Sequence, residues 1–420
     1  MNTLIIPQWI FTVFTVVLIC SSCGQQQSSF ESASDSDNIV KPEYPIHLQL
    51  SGDAEYKNTM TLADLASDVR YIPLETNDSC LMGPKYSHPQ FTQDYIFIES
   101  MGWLLQFDQQ GKFIQKINKP GKGPGECFVR DFGIDEKNQL IHIFDNWKLD
   151  VYTFTFEGKH VRTFRNPLQG APGGGSPLHM GCDAETGNLF FTFSNGNGDM
   201  KYKYVVCDNT GNIVYKCPNY TLSPPIPTMT ESVPMYNIYL YDSLYYYEDT
   251  DNDTVFVIGK DYRCSPAYIR DLPNRITLKD RLDVAALLKD PADFSDKNSY
   301  SGIREDDKYV YAHHYHGVFS QEYISFISLY DKQTRSLIEN INDKIENNWD
   351  GGMDIRLYPS CQDGSLFALL LQPYDMKETL TPEHFASRNI AHPEKAEALK
   401  KLVSTLKDED NPVLMLITTK

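Results

Sequence analysis

Six residues able to hold an anion or a hydrogen-bonding ligand, His88, Arg130, His179, Asn237, Arg304 and Arg356, stand one in each of six successive stretches of the chain. A guanidinium presents parallel N–H donors that match a carboxylate or phosphate, so these residues, brought together, make a basic mouth in an acidic protein. Trp103, Trp147 and Trp349 are flat apolar faces of the kind that stack on sugar rings. A plainer reading stands beside this one: the same polar residues as hydrogen-bonding pillars between neighbouring elements, with Asp131 or Asp354 compensating the arginines. Tyr311-Ala-His-His-Tyr-His316 has the look of a metal box. On a strand, however, only His314 and His316 share a face, and no carboxylate sits at ligand spacing, so no metal or other cofactor is expected. The Gly121 to Glu126 loop lacks the Lys-Ser/Thr of a phosphate-binding loop, and the acid after Gly125 would repel phosphate. A Gly-x-Ser-x-Gly nucleophile elbow is absent as well, and no catalytic set is expected.

The elements that must position these residues are strands. From Leu104 to Ile117 two alternating apolar runs meet at Asp108-Gln-Gln-Gly111, where glycine supplies the positive φ of a tight hairpin. The unit recurs at Tyr152–Phe164 around Gly158, at Tyr204–Cys217 around Asp208 to Gly211, and at Ser325–Ile338 around Asp331 to Thr334. Counted in fours, the strands give six units whose innermost members begin near Pro84, Arg130, Pro177, Pro234, Tyr300 and Asp354. The last unit is one strand short. Arg70 to Glu75 can supply it, because Pro73 lacks the N–H that a central strand needs and suits an outer edge. Pairing the chain's two ends then closes a ring: an all-β, six-bladed β-propeller over residues 61–420. Two segments break the pattern. Leu272 to Lys297 holds an amphipathic stretch, and Thr381-Pro-Glu starts helices whose later face is Leu399, Leu402, Val403 and Leu406. Both read as lids or packing decorations. Thr61 to Val69 reads as a short helical turn. The blade topology puts the glycine loop, both helical segments and the three tryptophans on one end, the upper face, which is the expected binding surface.

Composition fixes the setting. With 38 Lys and Arg against 56 Asp and Glu, the net charge is −18 without a basic run, which excludes a nucleic-acid binder. Residues 9–20 are an apolar core too short to span a bilayer, and Ser21-Ser22-Cys23 follows. That order resembles a bacterial lipoprotein signal, in which residues 1–22 are cleaved and the Cys23 thiol is acylated, making the lipid bilayer a partner. It departs from the usual pattern in having no Lys or Arg before the core and a cysteine at position 20. A plain secretory signal is the alternative, and either way the protein is exported. Residues 23–60 read as a tether, Gly24 to Asp37 being too polar to bury a core. The remaining cysteines are scattered without a Cys-x-x-Cys pair and read as buried, inert thiols.

The Tyr71-Ile-Pro-Leu-Glu75 opening, the Gly121-x-Gly-Pro-Gly-Glu126 loop and the Asn411-Pro-Val-Leu closing strand together resemble the six-bladed β-propeller lipoproteins of the Bacteroidota. That resemblance implies architecture and outer-membrane or cell-surface display, and no chemistry. The function expected is therefore a lipid-anchored binding module for a small anion or glycan at the upper face or axis. Two others compete. A propeller hydrolase or lyase needs an axial metal, with Asp, Glu and Asn for calcium or about three His for zinc. A structural subunit of a surface complex needs neither.

Overall fold

The structure, a computed structural model, describes residues 45–420 except 85, 87–88, 170–176, 194, 196–197, 226–237, 250–251, 284–294, 318–322 and 357–365. Residues 43–420 form one compact unit, built as six small sheets in a ring, a six-bladed β-propeller. Blade 1 comprises Gln90–Phe91, Tyr95–Ser100, Trp103–Asp108 and Phe113–Lys116; blade 2 comprises Asp131–Asp135, Leu140–Asp145, Asp150–Thr155 and His160–Arg165. Blade 3 runs His179–Cys182, Leu189–Thr192, Tyr202–Cys207 and Ile213–Pro218, and blade 4 Ile238–Tyr241, Leu244–Glu248, Thr254–Ile258 and Cys264–Asp271. Blade 5 has Asn298–Glu305, Tyr309–His316, Ile324–Asp331 and Ser336–Asn342. The hairpin turns form as their residues dictate. Asp108 Oδ1 accepts the N–H groups of Gln110 and Lys112, Asp208 Oδ1 those of Thr210 and Asn212, and Gly111 and Gly211 take φ of +81° and +93°.

Six apolar clusters lie between successive blades and carry the ring all the way round. Phe97 and Leu104 of blade 1 pack on Phe132 and Ile141 of blade 2, and Phe144 and Val151 pack on Met180 and Phe191. Phe190 and Tyr204 meet Tyr247 and Ile258, and Tyr246 and Val255 meet Ile303 and Val310. Tyr311 and Ile327 meet Phe367 and Met415, and Leu414 and Ala368 close onto Ile96 and Phe107 of blade 1. Each fully buried side chain of this size contributes roughly 1.5–3 kcal/mol of transfer free energy, so the cement lies between sheets rather than within them. Toward the axis the blades crowd: a Cβ on Gly133 would stand 3.1 Å from Cys182 Cβ, so that inner strand stays bare there.

Closure follows the expected pairing and extends it. Ala66–Pro73 runs antiparallel to Val413–Thr419, which pairs on its other side with Leu366–Leu371, and Pro73 sits opposite Val413 on the outer edge. The helix before it is shorter than expected. Leu62–Leu65 is helical, started by Thr61 and Asp64, whose carboxylate accepts the Thr61 N–H; from Ala66 onward the sheet claims the chain. The expected innermost strand of blade 6 also differs, because Ile355–Arg356 pairs with Lys344–Ile345 and residues 357–365 lie outside the described set.

Residues assigned to the tether join the fold as well. Ile46–Gln49 adds a fifth, parallel strand beside Cys264–Asp271 on the rim of blade 4, burying Leu48 and Leu50. The chain then crosses blade 5, where Lys57 N–H donates to Asn340 O and Asn58 bridges to Ile341, before entering blade 6. A strap thus crosses three rims.

The second helical segment is Pro373–Thr379, Pro382–Ala386 and Pro393–Thr405. Thr381 caps as its sequence requires, accepting His384 N–H at 3.3 Å, and Leu399, Val403 and Leu406 are buried. The first segment contributes Leu278–Leu282, capped by Thr277, while residues 284–294 lie outside the described set.

Candidate binding face

At the upper end of blade 2 a buried carboxylate organises an exposed turn. Asp145, with no exposed surface, accepts Trp147 N–H at 2.8 Å and Lys148 N–H at 3.2 Å on Oδ1, and Phe128 N–H at 3.0 Å on Oδ2. Leu149, at φ +58°, turns the chain back through its N–H to Asp145 O. This fixed turn holds Trp147 out in solvent, 82% exposed. Arg130, also exposed, leads into the neighbouring strand, its N–H donating to Phe144 O, next to Asp145. The glycine loop borders the same end. Its Gly123 N–H donates to Glu126 Oε2 at 2.8 Å, and a side chain on Gly121 would collide with that carboxylate. Lys119, 2.7 Å from Glu126 Oε1, holds the carboxyl below its ordinary range. The loop therefore cradles an acid of its own, which accounts for its glycines. Lys148 ties the two together, donating from Nζ to Glu126 O at 2.5 Å. The result is a rigid patch with one large aromatic face and cationic groups.

The other residues singled out by sequence are dispersed. Trp103 is half-buried at the edge of blade 1 with Lys116 Nζ 4.3 Å above its ring. Trp349 is no platform: it is 3% exposed, and His392, in the helical segment, covers it at 4.2 Å between ring centres. His179 and Asp131 keep Nδ1 and Oδ2 3.6 Å apart beside the axis, where Asp131 also accepts Met180 N–H. Arg356 pairs with Asp343 at 2.7 Å. Arg304 is a pillar rather than a mouth residue, buried against Glu248 of blade 4 at 3.3 Å and facing the Tyr239 ring. His88 and Asn237 lie outside the described residues. Of the four described, Arg130 is exposed in the blade that carries Trp147, and Arg304, His179 and Arg356 are each matched by an acid, so these four do not gather as free cations at the axis.

Sequence reasoning missed the charge network to which Arg304 belongs. Glu248, 1% exposed, takes Arg270 Nη1 at 2.7 Å on its other oxygen, and Arg270 stacks 4.0 Å above Tyr300. Next to it Glu305 accepts from Tyr268 and Tyr239 and pairs with Lys332 at 2.7 Å; burial nevertheless pushes its carboxyl pKa up. An acid as the last residue of an otherwise aromatic strand, Leu244-Tyr-Tyr-Tyr-Glu248, was the available signal.

Among the described residues one group has metal-ligand chemistry: Asp135, His142 and Cys182, with donor atoms within 4.8 Å of one another. His142 Nδ1 lies 3.1 Å from Thr153 Oγ1, and Nε2 is buried without a hydrogen-bond partner. Burial lowers the His142 pKa to about 4 and raises that of the Cys182 thiol. Asp135 is already occupied, accepting N–H groups of Asn138 on both oxygens, and Gly187 closes over it. With Asp135 and His142 on blade 2 and Cys182 on blade 3, the cluster is a buried polar group between the two blades. The histidine run is likewise taken up structurally: His314 Nε2 is 3.2 Å from Asn340 Oδ1 and His316 Nδ1 is 3.0 Å from Asn298 Oδ1.

Six sheets in a ring, the last closed by Ala66–Pro73 on Val413–Thr419, define the six-bladed β-propeller class. Within it, residues 46–418 match the DUF4934 family, described as a domain of unknown function, and the chain belongs to that family. A "Putative exported protein" of Bacteroides fragilis has a similar structure, with TM-score 0.63 and 18% identity over 89% of this chain and 99% of that one. A DUF4221 family member from Bacteroides vulgatus matches at TM-score 0.45 and 11% identity, over 85% and 97%. These likenesses concern the fold. No curated protein matches the sequence significantly.

Proposed function

We propose that this chain is an exported, lipid-anchored binding module of the cell envelope, taking a small anionic or glycan ligand on the upper end of blade 2. The observation that carries the reading is Trp147. Leaving so large an apolar face in water is costly unless something covers it, and the Asp145 turn fixes it in advance of any ligand. Arg130, exposed where the neighbouring strand of the same blade begins, offers a planar donor for a carboxylate or sulfate. The leader and Cys23 supply the address: a thiol after small residues at the end of a short apolar core is where acylation anchors an exported protein.

The test is binding of a panel of neutral, carboxylated and sulfated oligosaccharides to the full chain, followed by calorimetry with Trp147→Ala and Arg130→Met. Both side chains are exposed, so both variants should melt with the parent while affinity falls about tenfold or more, as expected for loss of roughly 1.4 kcal/mol. Binding that survives both changes removes blade 2 from consideration. For the address, Cys23→Ala should leave the membrane fraction; its retention there with normal processing would argue against lipidation.

A further inference from the structure

Cys217, in the outermost strand of blade 3, and Cys264, at the start of the fourth strand of blade 4, place their sulfur atoms 3.6 Å apart. Scattered in sequence, the two are brought face to face by the blade packing inside the cluster of Phe190, Tyr204, Tyr247 and Ile258. Among the described residues no other pair of cysteines is in sulfur contact. A disulfide needs 2.05 Å, so about 1.6 Å must close, within reach of side-chain rotation between two strands whose backbones are already fixed.

We propose that Cys217 and Cys264 are the site of a disulfide that staples blade 3 to blade 4, formed by exchange with an oxidised dithiol or glutathione-type donor. The roles divide by environment. Cys217 is 3% exposed, whereas Cys264 is only partly buried and is the one a donor can reach first. The contact between the two sulfurs favours one thiolate in the pair, and the hydrogen bond to Cys217, with Tyr204 and the Lys203 ammonium nearby, lowers the Cys264 pKa while that of Cys217 rises. The Cys264 thiolate attacks one sulfur of the donor disulfide, and the other donor sulfur leaves as a thiolate and takes up a proton. Cys217 then loses its proton and attacks the Cys264 sulfur of the mixed disulfide, expelling the second donor thiol. Two electrons and two protons pass from the pair to the donor. The oxidising surroundings rest on the export reading above; the geometry does not.

Full-length chain made in a reducing cytoplasm and then treated with oxidised glutathione isolates the geometry. After unfolding, alkylation and digestion, a Cys217–Cys264 linked peptide is expected. The staple closes a loop of about fifty residues, so the oxidised protein should melt about 5 °C above the reduced one. Cys217→Ser and Cys264→Ser should each lose both the linked peptide and the shift. Full alkylation of both thiols, or a glutathione adduct on Cys264 that never resolves, overturns the proposal. The same peptide map on protein recovered through its own leader tests the compartment. A linked pair there supports both ideas; reduced thiols there, beside a clean cross-link in vitro, overturn the export reading and leave the pair standing.

Discussion

Replacing Glu248 with glutamine isolates what a buried charge does at a blade interface. The carboxylate sits between two guanidinium groups, 2.7 Å from Arg270 Nη1 and 3.3 Å from Arg304 Nη1, and all three side chains are nearly inaccessible to water. At an effective dielectric of about 20 the two attractions are worth ~6 and ~5 kcal/mol before desolvation is subtracted. Removing the one acid strands two cations, and breaking a buried pair from one side costs about 3–5 kcal/mol net. Arg304→Met is a different perturbation: Glu248 keeps Arg270, and a thioether fills the space beside Tyr239, so about 1 kcal/mol or less is lost. For a folded unit of about 380 residues, unfolding entropy near 0.8 kcal/mol/K converts these into a Tm drop of ~5 °C for Glu248→Gln and ~1 °C for Arg304→Met. Scanning calorimetry in low salt and in 1 M NaCl reads both, and the gap should persist in salt because buried pairs are little screened. Equal shifts for the two variants, or a gap that vanishes in salt, would mean that water reaches these charges and that the pillar account is wrong.

Truncation should grade the strap. Deleting residues 1–42 should leave Tm unchanged. Deletion through Asp53 removes buried Leu48 and Leu50 and should cost ~3–6 kcal/mol. Deletion through Glu75 unpairs Val413–Thr419 and should abolish cooperative melting; equal melting of the last two would sink the closure assignment. Acid should destabilise the ring above the range where carboxylates titrate. Burial lowers the pKa of His142 and His314 to about 4 and of His313 to about 3, so below the unfolded value near 6.5 the unfolded chain takes up protons that the fold refuses. Stability is thus fully present above pH 6.5 and is lost as pH falls toward 4, by ~2 kcal/mol per histidine at pH 5. Urea midpoints at pH 7 and pH 5 measure this, and His142→Asn should remove about a third of the difference; an unchanged difference would refute it.

The ring was legible because its signals are local. Asp208 and Gly211 fix a turn within five residues, and Pro73 declares an edge through a missing N–H. What stayed hidden depends on partners far along the chain. Trp349 is covered by His392, Arg304 is matched by an acid two strands into another blade, and Cys217 meets Cys264 across an interface. Ile46–Gln49 joins blade 4 in parallel, a pairing with no turn to announce it, so its four residues looked like more tether. The tryptophans show the limit: composition could propose three aromatic faces, and only packing could say that Trp147 is out and Trp349 in.

The pairing of Ala66–Pro73 with Val413–Thr419 also sets a timetable. A chain delivered from its N-terminus brings Ala66–Pro73 out long before its neighbour Val413–Thr419, so the early strand must wait, edge unsatisfied, while some 340 residues arrive. Blades 1 to 5 can assemble in order of appearance, each on the one before, but the circle can shut only once Val413–Thr419 has been delivered. A chain interrupted or clipped before Val413 would therefore expose a bare strand edge of the kind that quality control and aggregation both recognise, and arrival of that one strand becomes a condition of solubility.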